Sequence, residues 1–161
     1  QPNDAVILNA FGGNSDALHA AEFLNGIANG VMDPGVLSTL KIWHLMPVLD
    51  AAGVGINEID WLALVNQELG AKQSFVSLPP VLLKAITSAA ENRHVAETVL
   101  LTHWVLHDVS LHQASPSDLA SVIKALDQIG QSETAREFTQ EIVKAHLMQL
   151  LAEKIPDGKQ S

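Results

Sequence analysis

Apolar residues recur at helical spacing through most of the chain. Between residues 15 and 154 they fall three or four positions apart, and no sustained alternation of apolar and polar residues, which a half-buried strand would show, interrupts the pattern. Residues 117–129 show it best. Their large apolar side chains share one stripe of a helix: Leu119, Val122, Ile123, Leu126 and Ile129. The pattern predicts an all-α protein.

Start and stop signals divide this pattern into about seven helices. Asp33 and Ser115, each followed by proline, are typical helix starts. Gly53 and Gly130 are typical stops, because glycine readily adopts the left-handed conformation that ends a helix. The predicted helices span 15–29, 34–52, 57–69, 79–91, 93–108, 116–129 and 132–153.

Two prolines add local predictions. Ser115 and Asp118 flank Pro116 in the pattern of a capping box, so the Ser115 side chain is expected to cap the free amides of the helix that follows. Pro47 lies inside the second predicted helix, where it removes a backbone hydrogen bond and clashes with the preceding turn. That helix is expected to kink or break near Met46.

Two short motifs occur twice and in the same order. H-x-A-E begins at His19 and again at His94, and L-D-x-x-G begins at Leu49 and again at Leu126. The offsets are 75 and 77 residues. Because order and spacing are both kept, the sequence predicts an internal duplication of a three-helix unit.

The duplication predicts the organisation of the chain. Units at about 15–70 and 93–153 are joined by a bridging helix at 79–91, and together they form a single helical-repeat domain over residues 15–154. An extended segment (1–14) precedes this domain and a polar tail (155–161) follows it. Antiparallel helices with short loops are compatible with a right-handed α-solenoid or with an orthogonal helical-repeat bundle.

The C-terminal half carries three motifs that occur together in a known class of repeat proteins. An A-E-x-x-L-L helix begins at Ala96, an S-P helix start follows at Ser115, and an L-x-x-x-G-x-x-x-x-A-R corner begins at Leu126. Over residues 77–150 the chain therefore resembles α-helical solenoid repeats related to tetratricopeptide repeats, and in particular uncharacterised bacterial versions. The chain lacks three features of tetratricopeptide repeats proper: the 34-residue period, tyrosine and the W-x-x-L-G signature. The resemblance implies protein or peptide binding without indicating which residues bind.

Composition narrows the classes of function. The chain of 161 residues carries 9 Lys and Arg against 18 Asp and Glu, and its formal charge of −9 argues against a nucleic-acid partner. Hydrophobic residues make up 47% and charged residues 17%, yet no apolar run is long enough for a transmembrane segment. The absence of cysteine and the start at Gln1 permit a processed protein. The sequence does not determine the cellular compartment of the protein, and it slightly favours the periplasm over the cytoplasm.

Histidine and tryptophan are the candidates for site chemistry. His103 and His107 lie four residues apart on one predicted helix, a spacing that can present two imidazoles to one metal ion. The glutamate of an H-E-x-x-H motif is missing, so we expect a structural pair and predict no metal, cofactor or catalytic residue. Trp43, Trp61 and Trp104 sit among aliphatic neighbours and are expected in the core.

Three functions remain open. The favoured one is a protein–protein interaction module or scaffold, with the C-terminal part of a longer solenoid as one form of it. The alternative is a small-molecule-binding or enzymatic helical domain with a pocket near Trp104 and His107. The third is a structural homo-oligomer that buries its excess apolar surface between subunits.

Overall fold

The structure is a computed structural model and describes residues 15–33, 35, 37, 40, 42–56 and 74–154. Within these residues the α-helices are α1 (Ser15–Asn29), α2 (Met46–Ala51), α3 (Pro80–Glu91), α4 (Val95–Leu106), α5 (Pro116–Gln128) and α6 (Ser132–Lys154). A 3₁₀ helix at Trp43–Leu45 precedes α2. Two short strands, β1 (Val31–Met32) and β2 (Gly55–Ile56), pair in parallel.

The prediction of an all-α fold is confirmed. Helices α1 and α3 to α6 match predicted helices with ends that differ by no more than two residues. The predicted helix at 57–69, the N-terminal segment 1–14 and the tail 155–161 lie outside the described residues.

The predicted helix at 34–52 is not continuous over its described part. Residues 43–45 form a 3₁₀ turn, and α2 begins at Met46 with Pro47 in its first turn. A proline is tolerated there because the first amides of a helix have no intrahelical acceptor. The predicted break near Met46 is therefore confirmed.

The two strands were not predicted from the sequence. Each has only two residues, too few to show an alternating pattern. The Gly55 amide donates a hydrogen bond to the Gly30 carbonyl at 2.9 Å. The strands thereby join the chain that leaves α1 to the chain that leaves α2.

The two L-D-x-x-G motifs end their helices in the same way. Gly53 and Gly130 have φ angles of +73° and +82°. In both motifs the glycine amide donates to the aspartate carbonyl, and the next amide donates to the leucine carbonyl, at 2.9–3.0 Å. This is the Schellman closure, and it confirms the predicted helix stops.

The predicted capping box at Ser115 is wrong. The Ser115 side chain makes no capping hydrogen bond. Its amide instead donates to the Val76 carbonyl at 2.8 Å, within a parallel bridge between Val76 and Ala114. The Asp118 carboxylate accepts a hydrogen bond from the Leu78 amide at 2.9 Å. Both groups therefore hold the chain that leads into α3 rather than capping α5.

Helix α5 lies at the centre of the described packing. It contacts α2, α3, α4 and α6, and α1 packs against α6. All five residues of its predicted apolar stripe are buried. In the described part of the chain, no helix combines the length and apolarity needed to cross a membrane.

Candidate functional site

Helix α4 turns an apolar face towards solvent. Four of its large hydrophobic residues are exposed: Val95, Val99, Leu100 and Trp104. Leu100 is 68% exposed and Trp104 is 66% exposed. At 3.6 residues per turn, these residues form two neighbouring ridges, Val95 with Val99 and Leu100 with Trp104. We call these four residues the α4 apolar face.

The inward side of α4 carries polar residues. Thr98 and Thr102 are buried together with Val105. The Thr98 hydroxyl donates to the His94 carbonyl at 2.8 Å, whereas the buried Thr102 hydroxyl has no hydrogen-bond partner. Leu101 and Leu106 also pack against the core. Helix α4 therefore buries two threonines beside aliphatic residues while it leaves Leu100 and Trp104 exposed, unlike an ordinary amphipathic helix, which buries its largest apolar residues.

The tryptophan prediction is only partly correct. Trp43 is buried in the core, as expected. Trp104 is exposed, so its predicted core position is wrong, while Trp61 lies outside the described residues. Helix α4 is apolar on nearly every side, and its periodicity therefore could not show which side faces inward.

His103 and His107 lie on the exposed side of α4 between the two ridges. Their rings are stacked, with centroids 6.2 Å apart and an interplanar angle of 19°. Among the described residues, no three His, Asp or Glu side chains come together in a group that could hold a metal ion. The two histidines therefore separate the two ridges of the α4 apolar face.

Acidic side chains flank the Leu100–Trp104 ridge. Glu97 lies one turn before Leu100, and Asp108 lies one turn after Trp104. Both carboxylates are well exposed, although Glu97 also contacts the His94 ring at 3.1 Å. A negative rim beside an apolar ridge favours partners that carry positive charge.

A second pair of histidines, His44 and His146, joins elements that are far apart in the chain. Nε2 of His44 and Nδ1 of His146 are 3.2 Å apart and form a hydrogen bond, in which one ring donates and the other accepts. Phe75 packs near both rings, with its centroid 5.6 Å from His44 and 6.4 Å from His146. The 3₁₀ turn, the chain before α3 and helix α6 thus meet at three rings.

Burial keeps both imidazoles neutral. Loss of solvent lowers the pKa of His44 to about 4. The pKa of His146 is also lowered to about 4, chiefly by burial and further by the nearby His44 and His112, while the Leu111 backbone opposes the shift. Nε2 of His146 is buried and has no partner within hydrogen-bonding geometry.

These rings line a cavity of about 330 Å³. The polar lining includes Ser74, Gln113 and Gln149, and Glu153 is the carboxylate among the described lining residues. Trp104 and His107, the residues of the predicted pocket, are exposed on α4 and do not line this cavity.

The sequence gives no signal for this cavity. His44, His112 and His146 are separated by 68 and 34 residues and share no motif. The i, i+4 spacing drew attention to His103 and His107 because local spacing is visible in a sequence, whereas long-range contacts are not.

Comparison with known proteins places the chain in no family. No protein-family model, curated protein or solved structure matches it.

Proposed function

We propose that this chain is a protein–protein interaction module that binds through the α4 apolar face. The observation that carries the proposal is the exposure of Leu100 and Trp104 on successive turns, while Thr98 and Thr102 are among the buried residues of the same helix. Large apolar side chains clustered on a surface mark binding sites more often than isolated ones do. Tryptophan is also among the residues that contribute most to binding energy in protein interfaces.

The partner that fits this face is an amphipathic helix with basic residues beside its apolar stripe. The Leu100–Trp104 ridge is one turn long, so it suits apolar residues spaced by i and i+4 on a partner helix. Glu97 and Asp108 flank one ridge, and the whole chain carries a formal charge of −9. Lys or Arg on the partner would meet these carboxylates.

The repeat architecture is part of the same proposal. We infer two related units, because the H-x-A-E and L-D-x-x-G motifs recur in the same order at offsets of 75 and 77 residues. The contact between α1 and α6, the first and last described helices, favours a helical-repeat bundle over an extended solenoid. The resemblance to tetratricopeptide-like repeats supports the same class of function, since such repeats serve as binding scaffolds.

The test compares capture of partners by three proteins: the wild type, Leu100→Lys and Met148→Lys. Met148 is the matched control because it is also an exposed apolar residue, on α6 rather than α4. A partner captured by the wild type is purified and titrated against each protein. We expect Leu100→Lys to weaken binding by roughly 30-fold or more, as for a central interface residue, and Met148→Lys to bind like the wild type.

Two outcomes would contradict the proposal. Equal affinity of the wild type and Leu100→Lys would show that the α4 apolar face is not the binding surface. Sedimentation that shows a wild-type dimer dissociated by Leu100→Lys would assign the face to a second copy of this chain. In that case the chain is the structural homo-oligomer rather than a module for a different partner.

A further inference from the structure

We propose that Asn29 and Gly30, at the end of α1, form a site of spontaneous covalent modification, in which the Asn29 side chain deamidates and the product weakens the pairing of β1 with β2. An asparagine followed by glycine occurs twice in this part of the chain, at positions 25–26 and 29–30. The structure distinguishes the two. The site is separate from the α4 apolar face and does not depend on it.

The reaction needs only the chain itself and water. The backbone nitrogen of Gly30 attacks Cγ of the Asn29 side chain, and the side-chain amide nitrogen leaves as ammonia, which takes up the proton of the Gly30 amide. The product is a succinimide ring. Water then opens the ring at one of its two carbonyl carbons. Attack at Cγ leaves aspartate, whereas attack at the backbone carbonyl carbon leaves isoaspartate, in which the main chain runs through Cβ and Cγ.

The space around the two glycines differs. A Cβ atom at Gly26 would lie 2.9 Å from the Val31 carbonyl oxygen and 3.3 Å from Cε of Met32. Gly26 is therefore packed against β1, and the peptide group that joins it to Asn25 cannot rotate without displacing that strand. Within the described part of the chain, nothing beyond its own chain neighbours lies within 4 Å of the same position at Gly30. Gly30 thus has the room that ring closure requires.

The backbone hydrogen bonds differ in the same direction. Gly26 lies inside α1, where each amide is paired with the carbonyl four residues earlier. Gly30 lies just beyond the helix with a φ angle of +75°, and its amide donates to the Ile27 carbonyl at 3.2 Å. Because helix ends open more readily than helix interiors, the Gly30 nitrogen is released more often than that of Gly26.

Exposure does not separate the two asparagines. The side chains of Asn25 and Asn29 are both exposed, so water reaches both equally. The difference between the two sites therefore lies in the freedom of the glycine that follows each asparagine.

The position of Gly30 couples the modification to the strands. Its carbonyl accepts the hydrogen bond of the Gly55 amide at 2.9 Å, and β1 begins at the next residue, Val31. Isoaspartate at position 29 lengthens the main chain by one carbon directly before this bond. Both products also place a carboxylate at the C-terminal end of α1, where the helix dipole disfavours negative charge. Modification should therefore weaken the pairing of β1 with β2.

The test incubates the full chain at neutral pH and follows deamidation at each asparagine by tandem mass spectrometry. In the folded chain we expect Asn29 to react roughly tenfold faster than Asn25, the factor that corresponds to about one further hydrogen bond that must open at Asn25. In urea-unfolded chain the two rates should be equal, because both asparagines precede glycine.

Variants connect the modification to stability. Asn29→Gln removes the reaction, because the longer side chain closes the equivalent ring far more slowly. After incubation we expect Asn29→Gln to keep its melting temperature, while the wild type and the matched control Asn25→Gln lose part of theirs. Fresh Asn29→Asp carries the charge without the longer main chain, and its melting temperature should fall less than that of wild type converted to isoaspartate.

Two results would overturn the inference. Equal deamidation rates at Asn25 and Asn29 in the folded chain would show that the structure does not select Asn29. A wild type that carries isoaspartate at position 29 and keeps its original melting temperature would show that the modification leaves β1 and β2 paired.

Discussion

His44 and His146, which are 102 residues apart in the chain, share a hydrogen bond of 3.2 Å between their rings. The contact joins the turn before α2 to the C-terminal half of α6. Both rings are held neutral by burial, and both line the cavity of about 330 Å³. The pair also makes the stability of the fold depend on pH.

Lowering the pH should destabilise the protein through this pair. The pKa of each ring is lowered from 6.5 to about 4 in the folded state. Between these values the unfolded chain binds protons that the folded chain does not, so the free energy of unfolding falls as the pH falls. Each histidine contributes at most about 1.4 kcal/mol per pH unit, and partial solvent exposure reduces this contribution.

Urea unfolding at pH 7, 6 and 5 measures this dependence. We expect His44→Gln to show a shallower loss of stability than the wild type, because one titrating group is gone. Gln128→Ala, which changes an exposed residue that does not titrate, should follow the wild type. Identical slopes for His44→Gln and the wild type would contradict the assignment.

The Asp118 carboxylate should stabilise the chain before α3. It accepts a hydrogen bond from the amide of Leu78, whose side chain is buried. We expect Asp118→Ala to lower the free energy of unfolding by about 1–3 kcal/mol, because the Leu78 amide loses a charged acceptor. Asp108→Ala is the control, since the Asp108 side chain is almost fully exposed. Equal stability of the two variants in urea unfolding would show that the Asp118 bond contributes nothing.

Arg93 carries backbone strain that glycine would relieve. Its φ angle is +56°, and it closes α3 with the Schellman hydrogen bonds that glycine makes after α2 and α5. The left-handed conformation is unfavourable by about 1–2 kcal/mol for a residue with a Cβ atom. Part of this is offset by the greater freedom of glycine in the unfolded chain.

We therefore expect Arg93→Gly to raise the free energy of unfolding by about 0.5 kcal/mol. The reciprocal change, Gly130→Ala, should lower it by about 1 kcal/mol. Thermal unfolding of both variants measures the two effects. A lower melting temperature for Arg93→Gly would show that the Arg93 side chain makes a stabilising contact that outweighs its strain.

Thr98 and Thr102 allow one substitution to be compared at two buried positions on α4. The Thr98 hydroxyl donates to the His94 carbonyl, whereas the Thr102 hydroxyl has no partner. We expect Thr102→Val to stabilise the fold by about 1 kcal/mol, because it removes an unsatisfied polar group from the interior. Thr98→Val should destabilise it by about 1 kcal/mol through the lost hydrogen bond. Effects of the same sign in thermal unfolding would contradict this difference.

Local signals account for the parts of the fold that the sequence predicted. The stripe of Leu119, Val122 and Leu126 requires a helix with one buried side, whatever that side contacts. Gly130 stops the helix by its own conformational freedom, and Pro47 prevents a continuous helix through Met46. Each of these effects acts within one or two turns of the chain, so the residues nearby are enough to predict it.

Local signals could not predict the contacts made by Asp118 and Trp104. Asp118 has the spacing of a capping residue, but the Leu78 amide, 40 positions earlier in the chain, competes for its carboxylate. Trp104 lies on a helix that is apolar on nearly every side, and only its packing against α3 and α5 turned Thr98 and Thr102 inward. The sequence pattern favoured neither side.

The sequence by itself determined that the chain is helical and where most of its described helices begin and end. Only the tertiary structure decided which apolar residues stay exposed on α4 and which histidines meet. Helix formation depends on neighbours within a few residues, whereas the environment of His146 is set by the packing of His44, Phe75 and His112 from three distant segments.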